Sequence, residues 1–96
     1  MALTEVIQKL VKFKKAHMEE YRFRRIGVFG SVARGTSREG SDLDILVEQL
    51  EPDLFLLGTI KTDLEEEFGV PVDIIRIREG MDASLKKRID REAFYV

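Results

Sequence analysis

Apolar residues recur along the start of the chain at Leu3, Val6, Ile7, Leu10, Val11, Met18 and Tyr21, with lysines between them. That spacing predicts an amphipathic helix over 3–21 with Thr4 as its N-cap. Ile26 to Gly30 is a short apolar run ending in Gly-Ser, which predicts a buried strand that stops at a tight turn. Ser31 to Ser41 carries Gly35 and Gly40 among Thr36, Ser37 and Ser41, and so predicts a polar loop with one helical turn at Val32 and Ala33. A second strand begins at Asp42. In the run Asp42 to Val47, residues 43, 45 and 47 share one face, and the period of two puts Asp42 and Asp44 together on the other.

Pro52 and Asp53 open a second helix, whose buried stripe is Leu54, Leu57, Ile60, Leu64 and Phe68 and whose end is Gly69. Glu65, Glu66 and Glu67 read as its solvated end, and Phe29, Phe55 and Phe68 as core. Val70 to Ile77 is a third strand, with Pro71 near its start and Asp73 inside an otherwise apolar run. After a turn at Arg78-Glu79-Gly80, the residues Leu85, Ile89 and Ala93 mark a last helix from Asp82 that ends near Phe94 and Tyr95. The expected architecture is one α/β domain over residues 1–96, with three strands in one small sheet, mixed or antiparallel.

Composition narrows the chemistry. The chain has 96 residues, enough for one core and too few for a second lobe, so a large acceptor would have to dock from outside. Sixteen basic against eighteen acidic residues leave a net charge of -2, which argues against an extended nucleic-acid surface. The absence of cysteine removes disulfides, thiolate nucleophiles and Cys-based zinc sites. Polar residues interrupt the apolar positions of the first eleven residues, so no signal peptide or membrane span is expected there, and a cytoplasmic location follows.

The strongest anomaly is three aspartates, Asp42, Asp44 and Asp73, interrupting apolar strand segments. If the strand at Val70–Ile77 pairs with that at Asp42–Val47, the three come together. Each bare pair about 4 Å apart then repels by roughly 1 kcal/mol in water and roughly 4 at an effective dielectric near 20. Such a group calls for cations, and all-oxygen ligation selects a hard ion such as Mg²⁺, which keeps positions for substrate phosphates. A single aspartate of this kind more often caps a turn; the same-face spacing is what a structural carboxylate does not need. Gly30-Ser31, ending the preceding strand, adds a close backbone approach and a hydroxyl suited to an oxyanion.

Gly30-Ser31, ten intervening residues and then Asp42-Leu43-Asp44 resemble the motif of the polymerase-β-type nucleotidyltransferase superfamily. The fuller strings GSVARG and SDLDILV are similar to its minimal nucleotidyltransferase branch, and the likeness runs from Ile26 to the strand around Asp73. The resemblance implies an α+β fold with a small mixed sheet flanked by helices. It implies Asp42, Asp44 and Asp73 as metal-binding and catalytic residues, holding two Mg²⁺ ions that grip ATP, with Gly30, Ser31 and Arg34 at the nucleotide and Asp73 taking the acceptor proton. Members of this size resemble antitoxins that transfer AMP to a tyrosine of a HEPN-type toxin. The sequence leaves open two other roles: transfer to a small molecule or RNA end, in which a homo-oligomer cleft would hold the acceptor, or a module that masks a toxin by contact alone.

Of the remaining polar residues, Arg38 either contacts the triphosphate tail or is solvated surface, and His17 reads as a half-buried packing residue. Arg22, Arg24 and Arg25 read as a solvated edge. The end Phe94-Tyr95-Val96 either packs on the core or meets a partner.

Overall fold

Helix α1 covers Leu3–Tyr21 and turns Val6, Leu10, Phe13 and Tyr21 inward in the computed structural model, which describes residues 1–38 and 40–96. Its N-cap is Ala2, not Thr4: Leu3 packs on the core, which starts the helix one residue before the capping hydroxyl. Arg22 closes the helix in the left-handed region (φ 48) and donates its N–H to the Met18 carbonyl. Strand β1 follows at Phe23–Phe29, three residues earlier than the apolar run predicts, because Phe23 is buried and Arg25 is held by partners described below. Gly30–Arg34 forms a five-residue helix, α2, longer than the expected turn and beginning at Gly30 itself. The rest of the expected loop includes position 39, which lies outside the described residues.

Strand β2 (Leu43–Gln49) runs antiparallel to β1. Helix α3 (Leu54–Phe68) starts on the Asp53 side chain, which accepts the Leu56 N–H at 2.9 Å, and stops at Gly69 (φ 69). It carries the chain across to β3 (Val72–Arg76), which lies parallel to β2, as a helical crossover permits. Helix α4 (Ala83–Glu92) is capped by Asp82, and the chain then turns into a short strand β4 (Phe94–Tyr95) antiparallel to β1. The sheet order is β3-β2-β1-β4, so the sheet is mixed and has four strands, one more than the pattern shows. Two residues are too few to display a period, and β4 is fixed instead by its place beside Gly27, where an added Cβ would come within 2.6 Å of the Phe94 carbonyl oxygen.

Alternation along the strands divides the interior in two. Leu43, Ile45, Val47, Ile26, Val28, Val72 and Ile74 meet α1 and α3 in the larger core. Phe29, Leu46, Ile75 and Ile77 face the other way and meet Leu85, Ile89 and Tyr95 in a smaller one. Asp44 and Asp73 have the parity of the smaller core. Among the described residues no helix is long and apolar enough to cross a membrane.

Three further expectations are corrected. Leu54 and Phe55 are 73% and 93% exposed; Phe55 lies nine residues before Leu64, about 180° round the helix from it, so being apolar did not put it on the buried stripe. Glu65 is not merely solvated, since its carboxylate accepts the Val72 N–H at 3.0 Å and ties α3 to the start of β3. Arg25 is not a free edge charge: it pairs with Glu48 at 2.9 Å and lies 4.5 Å over the Tyr95 ring.

Candidate active site

Register settles the central geometry. Residue 44 of β2 stands opposite residue 73 of parallel β3 on one side and opposite Phe29 of β1 on the other. Adjacent strands are about 4.8 Å apart, so the two aspartates are immediate neighbours on the same face. Asp42 lies one residue before β2, in a segment already tied to β3 by the Leu43 N–H donating to the Pro71 carbonyl at 2.9 Å. Asp44 is half-buried, whereas Asp42 and Asp73 are exposed.

Electrostatics shows that three neighbouring charges act on Asp44. The Asp44 carboxyl is raised above its ordinary 3.8, first by burial, then by the charges of Asp73 and Asp42, while Arg34 pulls it back down. An ionised Asp44 therefore sits in a place that disfavours its charge, and a cation at the same place would relieve it.

Gly30 is shaped to this carboxylate. It has φ +73, and a Cβ there would fall onto the Asp44 carboxyl oxygen, within 3.0 Å of Cγ and 3.3 Å of Cβ. The turn from β1 into α2 thus lies directly against Asp44, and only glycine provides both the left-handed backbone and the clearance. Ser31 is the next residue and half-buried; its carbonyl accepts from the Thr36 N–H at 2.9 Å, which closes α2 back on itself. Arg34 ends α2, exposed. Gly30 and Ser31 therefore lie at the β1–α2 turn, Arg34 at the end of α2, Asp42 just before β2, Asp44 in β2 and Asp73 in β3, while Arg38 is exposed and joins the loop through its backbone N–H to Ser41 Oγ at 3.0 Å.

The donor set is three carboxylates, which fits a hard dication. Their oxygens do not all approach within 4.8 Å of one another; among the described residues the group that does is His17, Glu20 and Asp63, on the face of the sheet covered by α1 and α3. Asp42 and Asp73 are exposed on either side of half-buried Asp44, so the carboxylates form an open shelf. Sequence reasoning missed Phe29 as the other neighbour of Asp44, because cross-strand partners depend on register rather than on spacing.

The chain is similar to known proteins in sequence and in fold. The profile of the nucleotidyltransferase domain family matches residues 10–95. A protein of Thermococcus cleftensis named protein adenylyltransferase MntA is 36% identical over 97 residues, covering 100% of this chain and 97% of its own. A Methanocaldococcus jannaschii chain named for the same activity is 35% identical over 95 residues, covering 98% and 97%. Among solved structures, one named as a minimal nucleotidyltransferase superposes with a TM-score of 0.77 at 36% identity, covering 98% of this chain and 95% of that one. A toxin–antitoxin structure with AMP-PNP has the same fold, with a TM-score of 0.74 at 21% identity over 92% of this chain and 69% of that one. With its mixed sheet and its Gly-Ser turn set against paired aspartates, the chain belongs to the nucleotidyltransferase domain family, among the minimal nucleotidyltransferases.

Proposed function

We propose that this enzyme transfers AMP from ATP to a tyrosine hydroxyl of a HEPN-type toxin and so acts as the antitoxin of the pair. The observation that carries the reading is the register pair Asp44–Asp73 with Gly30 packed on Asp44: a charge cluster with a close backbone approach at its rim. Asp42, Asp44 and Asp73 are the residues that would hold Mg²⁺, two ions on the two-metal logic of such transfers. When bound, Mg²⁺ neutralises the triphosphate and polarises the reacting oxygens.

The chain's own residues do the rest. The Gly30-Ser31 backbone and the Ser31 hydroxyl hold phosphate oxygens, and the Arg34 guanidinium, already in the field of Asp44, balances charge on the triphosphate. Asp73, exposed beside Asp44, accepts the proton of the acceptor hydroxyl. The acceptor oxygen then bonds to the α-phosphorus, the bond from that phosphorus to the bridging oxygen breaks, and pyrophosphate leaves. An open shelf supports a protein acceptor, because a docking partner supplies the walls that the chain lacks.

The relatives support the choice of acceptor. The Thermococcus cleftensis relative is named a protein adenylyltransferase. The same fold occurs, at 18% identity, in the MNT antitoxin of a Shewanella oneidensis complex whose HEPN toxin is tri-AMPylated. The test is incubation with α-labelled ATP, Mg²⁺ and a HEPN-type toxin as acceptor. Label should appear on the partner and vanish with Asp42→Asn/Asp44→Asn; transfer to RNA or to a small molecule in preference to the partner would overturn the acceptor, and toxin neutralisation that survives the double substitution would overturn the catalytic role.

A further inference from the structure

On the far side of the sheet from the aspartate shelf, α1 and α3 bring together a different set of donors. His17 and Glu20 are one turn apart on α1, and Asp63 comes from α3. One ligand atom from each lies within 4.8 Å of the others, the only such group of three among the described residues. The imidazole is fixed by stacking: its ring is 4.9 Å from the Tyr21 ring at 17° and 4.6 Å from the Phe13 ring. That leaves Nδ1 facing the Glu20 carboxylate at 3.5 Å, buried and without a hydrogen-bond partner. The Tyr21 hydroxyl donates to the carboxylate of Asp63, the third member of the group.

We propose that His17, Glu20 and Asp63 form a second cation site, for a borderline first-row dication of the Zn²⁺ type, that ties α1 to α3. Three arguments carry it. Ligands about 2.0–2.1 Å from a tetrahedral ion stand roughly 3.3 Å apart, close to the 3.5 Å between Nδ1 and the Glu20 oxygen. One nitrogen with two carboxylates suits Zn²⁺ over Mg²⁺, in contrast to the all-carboxylate shelf. A hydrogen bond from Tyr21 to a ligating carboxylate is the kind of outer-shell support that sets a metal ligand in place, and Tyr21 is only 2% exposed, so it is held there by the core. The open cleft beside the cluster, about 290 Å³ and lined also by Glu66 and Glu67, leaves room for a water as fourth ligand and adds negative potential.

The chain has one histidine, so its imidazole gives a single set of NMR signals that report on this site alone. The untagged Asp42→Asn/Asp44→Asn protein, in which the shelf has lost two carboxylates, is titrated with ZnCl₂ and, separately, with MgCl₂. The expected result is 1:1 Zn²⁺ binding, a large shift of the His17 Nδ1 resonance, and a melting temperature raised by about 5–10 °C at a tenfold excess of Zn²⁺ over its Kd; Mg²⁺ should do none of these. His17→Phe keeps the aromatic stack and Asp63→Asn keeps an acceptor for Tyr21, and each should weaken Zn²⁺ binding at least tenfold. An imidazole signal that Zn²⁺ does not move overturns the site, as does binding that both variants retain. If His17→Phe fails to fold, Asp63→Asn and the imidazole signal still decide.

Discussion

Replacing Gly30 with alanine tests whether the β1–α2 turn and Asp44 form one unit. At φ +73 a non-glycine residue costs about 1–2 kcal/mol in backbone strain alone. The new Cβ also occupies the position of the Asp44 carboxyl oxygen, so the carboxylate must rotate away, at roughly 0.5–1.5 kcal/mol for an off-rotamer side chain. Together these give about 2–3 kcal/mol, or a melting temperature lower by roughly 10–20 °C for a chain of this size. A double-mutant cycle separates the two contributions. Asp44→Ala removes the carboxylate from the path of the new methyl, so in its background Gly30→Ala should cost only the backbone part, leaving a coupling of about 1 kcal/mol. Urea unfolding of the four proteins measures it. Nucleotide transfer by Gly30→Ala should fall at least tenfold, because a displaced Asp44 no longer stands beside Asp73. Full additivity in the cycle, or an unchanged melting temperature, would refute the contact between turn and carboxylate.

Acid stability should carry the signature of Asp44. Its folded carboxyl lies above 3.8, so between that pH and its folded value the native state holds more proton than the unfolded chain; its contribution is most favourable below 3.8 and is lost as pH rises. Asp44→Asn should therefore gain stability relative to the parent as pH rises from 3 to 7, read as the difference in urea midpoints, and a flat or opposite trend would contradict the burial argument. Phe55→Ser should change stability by less than about 0.5 kcal/mol, whereas Ile60→Ala or Leu64→Ala should each cost about 2–5, by urea unfolding; similar costs at both places would show that the first turn of α3 is covered after all. Gly27→Ala should push β4 away from β1 at about 1–3 kcal/mol. Hydrogen exchange at the Val96 N–H, which donates to the Ile26 carbonyl at 3.0 Å, should then lose protection, and unchanged protection would mean that the strands tolerate the methyl.

Local information fixed most of the elements and pointed to the candidate site. The period of α1, the helix starts at Asp53 and Asp82, the Gly69 stop and the alternation of β2 are all written within one or two turns of chain, so they were legible in order along the sequence. So were the two motif aspartates and the Gly-Ser turn, because their relation is one of spacing. What spacing cannot carry is pairing. That β3 lies parallel to β2 with Asp73 opposite Asp44, that two residues at the end of the chain form a fourth strand, and that Gly30 must be glycine because of a carboxylate fourteen positions later, each depends on contacts across the sheet. The same holds for Phe55, whose apolar side chain says nothing about which side of α3 meets the sheet, and for Asp63, whose place beside His17 follows from how two helices cross. A sequence states what each residue prefers for itself and its near neighbours; only the closed fold decides which distant preferences are satisfied together.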